Sequence, residues 1–236
     1  MIKTKNKILA VIPARGGSKG VKRKNLFNLN GYPLIYYSIK SAIESEYITR
    51  HVISTDDYEI KKISESYGGN VPFIRPAKLS TDSALAIPTI QHAVRICERN
   101  YNETYDYIIM LQPTAPLRTC LDIDEALSNL IINKEADSII SVVNVDNFHP
   151  AKMKVINDNK LFDFQETGLE NPPRQSLSPV YIVNGAIYAT KRDVFMNENT
   201  FKGKISLPYI MSPNKSVNID NIHDFLVAEY MINKNK

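Results

Sequence analysis

Short β-branched runs alternate with longer stretches of helical spacing through the first 145 residues. The runs are "ILAVI" (8 to 12), "HVIS" (51 to 54), "VPFI" (71 to 74), "YIIML" (107 to 111) and "SIISVV" (138 to 143). Being short, apolar and rich in Ile and Val, they predict buried parallel strands. Between them, "PLIYYSIKSAIES", "YEIKKISESYG", "ALAIPTIQHAVRICERN" and "LDIDEALSNLIIN" carry apolar residues every three or four positions. Strand then helix, repeated, predicts a layered α/β sheet. Ligands of such sheets bind outside the carboxyl ends of the strands. The unusual loops fall there: "PARGGSKG" after the first run, "TDD" after the second and "QPTAPLR" after the fourth.

From about residue 145 the alternation gives way to "NVDNFHPAKMKVINDNKLFDFQETGLENPPRQSLSPVY", with four prolines and only short strand-like pieces. A stretch of this length without a helix is expected to be functional or engaged with a partner. Regularity returns with "NGAIYAT" (184 to 190), then "SVNID" (216 to 220) and a closing amphipathic helix, "NIHDFLVAEYMIN".

The 236 residues are compatible with one large α/β domain. The formal charge is +4, but its placement matters more than its size. Lys3, Lys5, Lys7, Arg15, Lys19, Lys22, Arg23 and Lys24 all precede the first acidic residue, Glu44. With those eight set aside, 21 basic residues face 25 acidic ones, so the body is mildly acidic. A local positive field argues against a broad nucleic-acid-binding face. Cys97 and Cys120 stand far apart and outside any CxxC or Cys/His cluster, which points to a reducing cytoplasm without a zinc site or disulfide framework. No run approaches the roughly 20 apolar residues of a membrane-spanning helix. The opening "MIKTKNKILAVIPA" imitates a signal peptide, but Pro13 and the glycine-rich loop that follows favour a first strand.

Residues 14 to 25, "ARGGSKGVKRKN", bring five cations and three glycines together. The loop is not a Walker A, because Val21 stands where the second glycine would fall, and it is not a GxGxxG fingerprint. It still holds the ingredients of a phosphate site, with glycines for close backbone approach and Arg15, Lys19 and Lys24 for charge. On composition alone, a phosphate cradle and a solvated basic turn both remain open.

Five ordered motifs narrow the choice. "IPARGGSKGVKRKNL", "STDD" (54 to 57), "RPAKLSTD" (75 to 82), "LQPTAPLR" (111 to 118), and "PRQ" with "NGAIY" (173 to 175 and 184 to 188) resemble, in the same order, the acylneuraminate cytidylyltransferases, or CMP-sialic acid synthetases. The similarity runs from residue 8 to about 230. The R-[ST]-R-L-P-G-K loop of Kdo synthetases and the GxGTRLxP loop of sugar-1-phosphate nucleotidylyltransferases are both absent.

The resemblance implies a three-layer α/β/α, Rossmann-like nucleotidyltransferase fold over residues 1–236. Its sheet is mostly parallel, and 145–182 is inserted as a dimerisation arm. It implies transfer of CMP from CTP to a nonulosonic acid in a cytoplasmic homodimer, with Mg²⁺ or Mn²⁺ as cofactor. Sialic or legionaminic acid is the expected acceptor and pseudaminic acid the alternative; no membrane or nucleic-acid partner is expected. Arg15, Lys24 and Asp220 are the implied catalytic groups. Arg15, Gly16, Ser18, Lys24, Asn25 and Arg75 are expected around CTP, with Arg75 reading the base. Gln112, Lys152, Arg174, Asn184 and Tyr188 are expected around the sugar, and Asp220 with Asn218 around the metal. For Arg118 the alternative to a pocket role is a structural one. One departure stands out: the family's D-[IV]-D near the carboxy terminus is "NID" here, so an uncharged amide replaces one carboxylate. Two rivals remain. A non-catalytic RNA- or anion-binding module is disfavoured by the acidic body, and a P-loop NTPase by the missing GK[ST].

Overall fold

The computed structural model describes residues 6–18, 20–145, 148–165 and 173–234. A six-stranded sheet organises the molecule. Its strands are β1 (Ile8–Pro13), β4 (Arg50–Ser54), β5 (Tyr107–Met110), β6 (Ser138–Asn144), β9 (Tyr181–Lys191) and β10 (Ser206–Ile210), in the order β10-β6-β9-β5-β1-β4. β1 pairs in parallel with β4 and β5, and β10 with β6; β9 runs antiparallel to both β5 and β6. The sheet is therefore mostly parallel, as expected, with one reversed strand near its centre.

The pleat of β1 explains the layers. Ile8, Ala10 and Ile12 face a core built with Ile35 and Ile39 of α1 (Leu34–Glu44) and Ile123 and Leu127 of α4 (Cys120–Ile132). Leu9 and Val11 face the opposite core, where Ile90, Val94 and Cys97 of α3 (Ala86–Tyr101) meet Phe195 of α5 (Arg192–Glu198). α2 (Tyr58–Ser66) closes the first layer through Ile60. Strands buried on both faces read as unbroken apolar runs for this reason. A third cluster docks α6 (Ile222–Lys234) through Phe225 and Ala228 onto Val21, Leu34 and Leu29. Leu29 belongs to the small ribbon β2 (Asn28–Leu29) and β3 (Tyr32–Pro33).

Local chemistry sets the boundaries. Asp57 caps α2 by accepting from the backbone N–H groups of Glu59 and Ile60, both at 2.9 Å. Thr119 and Asp122 form a capping box on α4. α3 ends at Asn102, whose left-handed backbone (φ +49°) closes the last turn.

The structure departs from the sequence pattern in three places. "VPFI" forms no strand: it contributes a single bridge, Thr55 to Ile74, and Pro72 lacks the donor a longer ladder needs. "SVNID" is also not a strand. The outermost strand is instead "SLPYI", where Pro208 is tolerated because β10 lies at the sheet edge. The seven-residue α5 is too short for its period to show in the sequence.

Within 145–182, β7 (Lys154–Asn157) and β8 (Lys160–Asp163) form a hairpin separate from the main sheet. Asp158 and Asn159 turn it with positive φ at both positions, as a two-residue I′ loop requires. All eight strand residues are exposed. Two isolated strands are marginal in water, so this hairpin needs a covering surface.

Candidate active site

The site grows from the carboxyl ends of β1, β4 and β5. Ala14 N–H continues the ladder by donating to the Ser54 carbonyl at 2.9 Å, and the chain then turns into the glycine loop. Gly16 N–H donates to Asp56 Oδ1 at 3.0 Å. A Cβ at Gly16 would stand 2.6 Å from Asp57 Oδ2, so glycine is needed for this approach. Arg23, held at φ +55°, pairs with Asp57 at 3.1 Å and Glu59 at 2.7 Å. Asp57 lies below its ordinary carboxylate value: burial pushes it up, but the cap bonds and Arg23 outweigh that. Ser18 Oγ donates to the Val21 carbonyl at 2.6 Å and accepts from Lys24 N–H at 2.9 Å, while Asn25 Nδ2 donates to the Arg15 carbonyl at 2.9 Å. The loop is thus braced by its own polar groups.

Lys24 and Arg15 of the loop, and Arg75 beyond it, each meet an acidic partner. Lys24 Nζ donates to the Ile219 carbonyl at 2.8 Å and to Asp220 Oδ1 at 3.1 Å. Arg15 Nη1 donates to the Thr81 carbonyl at 2.9 Å and pairs with Asp82 at 3.0 Å. Arg75 is only 5% exposed, with Asp56 at 3.4 Å and no hydrogen-bond partner for Nε. Burial lowers its pKa from the ordinary arginine value, and Asp56 opposes the shift.

These groups line one cleft of about 700 Å³. Arg15, Ser18, Lys24, Asn25, Arg75, Gln112, Asn218 and Asp220 all border it, with Gly20, Thr81 and Asp82. Gly185, at φ +78°, lets the Gln112 side chain come close: a Cβ there would lie 2.7 Å from Gln112 Oε1 and 3.6 Å from Asn218 Oδ1. Of the remaining candidates, Gly16, Lys152, Asn184 and Tyr188 do not border the cleft. Asn184 is buried and its amide is fully engaged. Its oxygen accepts from Ser141 Oγ at 2.6 Å and Ala186 N–H at 3.2 Å, while Nδ2 donates to Ser216 Oγ at 2.9 Å and Met211 Sδ at 3.2 Å. Tyr188 packs against Phe201 in the core, ring centroids 5.7 Å apart. Lys152 is exposed on a 3-10 turn of the arm segment. The side chain of Arg174 and all of Lys19 lie outside the described residues.

One part of the site was not singled out from sequence. Asp56 and Asp82 sit inside quoted motifs, yet nothing in their spacing shows that they pair with Arg75 and Arg15. Arg118, whose alternative reading from sequence is structural, is 2% exposed. For a metal, no group of three or more His, Cys, Asp or Glu side chains comes together among the described residues. Asp220 and Asn218 border the same cleft. One carboxylate and one amide fit an Mg²⁺-type ion that takes its other ligands from phosphate and water.

A cation-lined cleft at the carboxyl ends of a mostly parallel sheet defines a nucleotide-binding α/β enzyme. The chain belongs to the cytidylyltransferase family, whose sequence profile matches residues 9–211, and it is a nucleotidyltransferase. It is 35% identical to "Post-translational flagellin modification protein B" of Campylobacter coli, covering 96% of this chain and 95% of that protein. It is 33% identical to an N-acylneuraminate cytidylyltransferase of Escherichia coli, over 95% of this chain but 52% of that longer protein. It is 34% identical to a CMP-N,N'-diacetyllegionaminic acid synthase of Campylobacter jejuni, over 95% and 94% of the two chains. Among solved structures, a CMP:2-keto-3-deoxy-manno-octonic acid synthetase complexed with CTP superposes with a TM-score of 0.71. That match covers 98% of this chain and all of the other at 17% identity, a likeness of fold. No helix among the described residues is long and apolar enough to cross a membrane.

Proposed function

We propose that the protein transfers CMP from CTP to the anomeric hydroxyl of a nonulosonic acid and releases pyrophosphate. The observation that carries this reading is the convergence of Arg15, Lys24, Arg75, Gln112 and Asp220 on one cleft. In the reaction the sugar oxygen bonds to the α-phosphorus, the bond from that phosphorus to the α,β-bridging oxygen breaks to release pyrophosphate, and the hydroxyl proton passes to water. Arg15 and Lys24 offset the charge developing on the transferring group and the leaving pyrophosphate. Both cations are already paired, with Asp82 and Asp220, and phosphate oxygens replace those carboxylates. Arg75 presents an unpartnered N–H donor. Cytosine O2 and N3 are acceptors, whereas N3–H of uracil is a donor, so the same arginine disfavours UTP.

Asp220 and Asn218 would hold Mg²⁺ or Mn²⁺, with phosphate oxygens and water completing its shell. When bound, the ion screens the phosphate charges and orients the chain of phosphates. For the acceptor, Gln112 is the proposed sugar contact, and Lys152 with Arg174 the proposed carboxylate fork. Near-equal identity to relatives named for N-acylneuraminate and for legionaminic acid supports sialic or legionaminic acid, with pseudaminic acid as the alternative.

A homodimer through the arm belongs to the same reading. Ile156, Leu161 and Phe164 are 73%, 66% and 62% exposed, more apolar surface than a lone hairpin should leave in water. A second copy covers it economically. Sedimentation should show a dimer for the wild type and dissociation for Ile156→Asp. A monodisperse active monomer rejects the arm. Two free cysteines and the need for CTP support a cytoplasmic setting. Pyrophosphate release from CTP and UTP with a panel of nonulosonic acids tests the whole reading. CTP-dependent release with at least one acid is expected, and release with none overturns it.

A further inference from the structure

We infer that Arg118 is a positioning residue that sets the acceptor side of the cleft through Gln112, an inference that rests on the proposed reaction. Its guanidinium is buried and clamps three elements. Nη1 donates to the Ala186 carbonyl in β9 at 2.9 Å and to the Gln112 carbonyl at 3.4 Å. Nη2 donates to Ser38 Oγ at 2.7 Å and Ser41 Oγ at 3.4 Å, both in α1. Nε has no partner, and no carboxylate lies within ion-pair distance among the described residues. The nearest acid acting on it, Asp122, is committed to Thr119, Lys215 and Tyr209.

A buried cation held only by neutral acceptors is a poor stabilising device. Desolvation opposes it, and hydrophobic replacements of such groups are often neutral or better for stability. What the arrangement does supply is geometry. The Gln112 carbonyl also accepts from Ser38 Oγ at 3.3 Å and from Ala115 N–H at 3.2 Å, so three donors fix one peptide. On the other side of the same residue, Gln112 Oε1 lies against Gly185, the neighbour of the Ala186 whose carbonyl Arg118 holds. Arg118 therefore ties the backbone that carries Gln112 to the strand that Gln112 faces. The planar fork reaches both carbonyls from one side and both serines from the other, a spread that a lysine ammonium cannot reproduce.

The test splits the two substrates. In Arg118→Met, the KM for the sugar acid should rise about tenfold or more while the KM for CTP moves less than about twofold, because the triphosphate groups of the cleft do not depend on this clamp. Arg118→Lys should recover only part of the loss. In a Gln112→Ala background, Arg118→Met should add little, since the two act through one contact. Ser38→Ala removes a single hydroxyl from the same peptide and is the variant to read if Arg118→Met does not fold; about a threefold rise in the acceptor KM alone is expected. Wild-type turnover together with equal shifts in both KM values, or with no shift in Ser38→Ala, overturns the role of Arg118. Absence of wild-type turnover with every acceptor overturns the proposed reaction, and this inference falls with it.

Discussion

Among the described glycines, Gly20 should be the most sensitive to substitution. A Cβ placed on it would stand 2.2 Å from the Asp220 carbonyl oxygen, a backbone atom that cannot swing aside as a side chain would. To restore ordinary contact, the glycine loop and the 219–220 segment must part by about 1 Å. The Lys24 Nζ bond to the Ile219 carbonyl is 2.8 Å long, and stretched by that amount it is no longer a hydrogen bond. The accompanying ion pair adds little, because Asp220 is 74% exposed and screened by solvent. The expected loss of stability for Gly20→Ala is therefore about 1–2 kcal/mol, a few degrees in Tm for a chain of this size. The effect on catalysis should be larger. A reacting group displaced by about 1 Å costs about 100-fold, or about 2.7 kcal/mol of barrier. Steady-state kinetics of pyrophosphate release and a thermal melt measure the two numbers. Gly17→Ala is the control, since a Cβ there meets no protein atom within 4 Å. A Gly20→Ala enzyme with unchanged kcat/KM would show that the contact between loop and terminal segment is not needed for chemistry.

Three further outcomes follow from the same geometry. Lys24→Ala should lower kcat by about 10²–10³-fold with a small change in Tm, whereas Lys22→Ala should be nearly silent in the same assay. Asn218→Asp should lower the Mg²⁺ concentration for half-maximal rate, because a second carboxylate offsets more of the ion's dehydration; Mg²⁺ titrations of both enzymes would expose an unshifted curve. Asp122 sits below the ordinary carboxylate value of about 3.9: burial pushes it up, but hydrogen bonds from Thr119 and Lys215 prevail. A depressed carboxylate stabilises the fold above its unfolded value, and that contribution is lost as pH falls through the lower folded value. The Tm advantage of the wild type over Asp122→Asn should thus be full at pH 6 and shrink below about pH 4, and a gap that widens on acidification contradicts the assignment.

The parallel half of the sheet was legible because strands buried on both faces must be apolar throughout, as "ILAVI" and "YIIM" are. The helices were legible because α1 to α4 each pack one face against those strands. β10 was hidden by Pro208, which a sheet edge accepts and a sequence pattern counts against a strand. The antiparallel run of β9 was hidden because pairing direction leaves no mark on an apolar run. The glycine loop and its cations were visible as composition. Asp82, Asp57 and Asp220, the partners of Arg15, Arg23 and Lys24, come from distant parts of the chain, so only the fold reveals that these three cations already have a carboxylate. Asn184 shows the opposite limit: a motif places it near the sugar residues, while the structure commits all four of its hydrogen-bonding positions to Ser141, Ala186, Ser216 and Met211.

On the proposed reaction, the cleft joins a cytidylyl group to a carboxylate sugar. Phosphorus NMR of the protein with CTP, Mg²⁺ and sialic or legionaminic acid follows both products at once. CTP signals should decay in step with the appearance of pyrophosphate and one new phosphodiester resonance. Unchanged CTP with every nonulosonic acid, or conversion to CDP and inorganic phosphate, would contradict it.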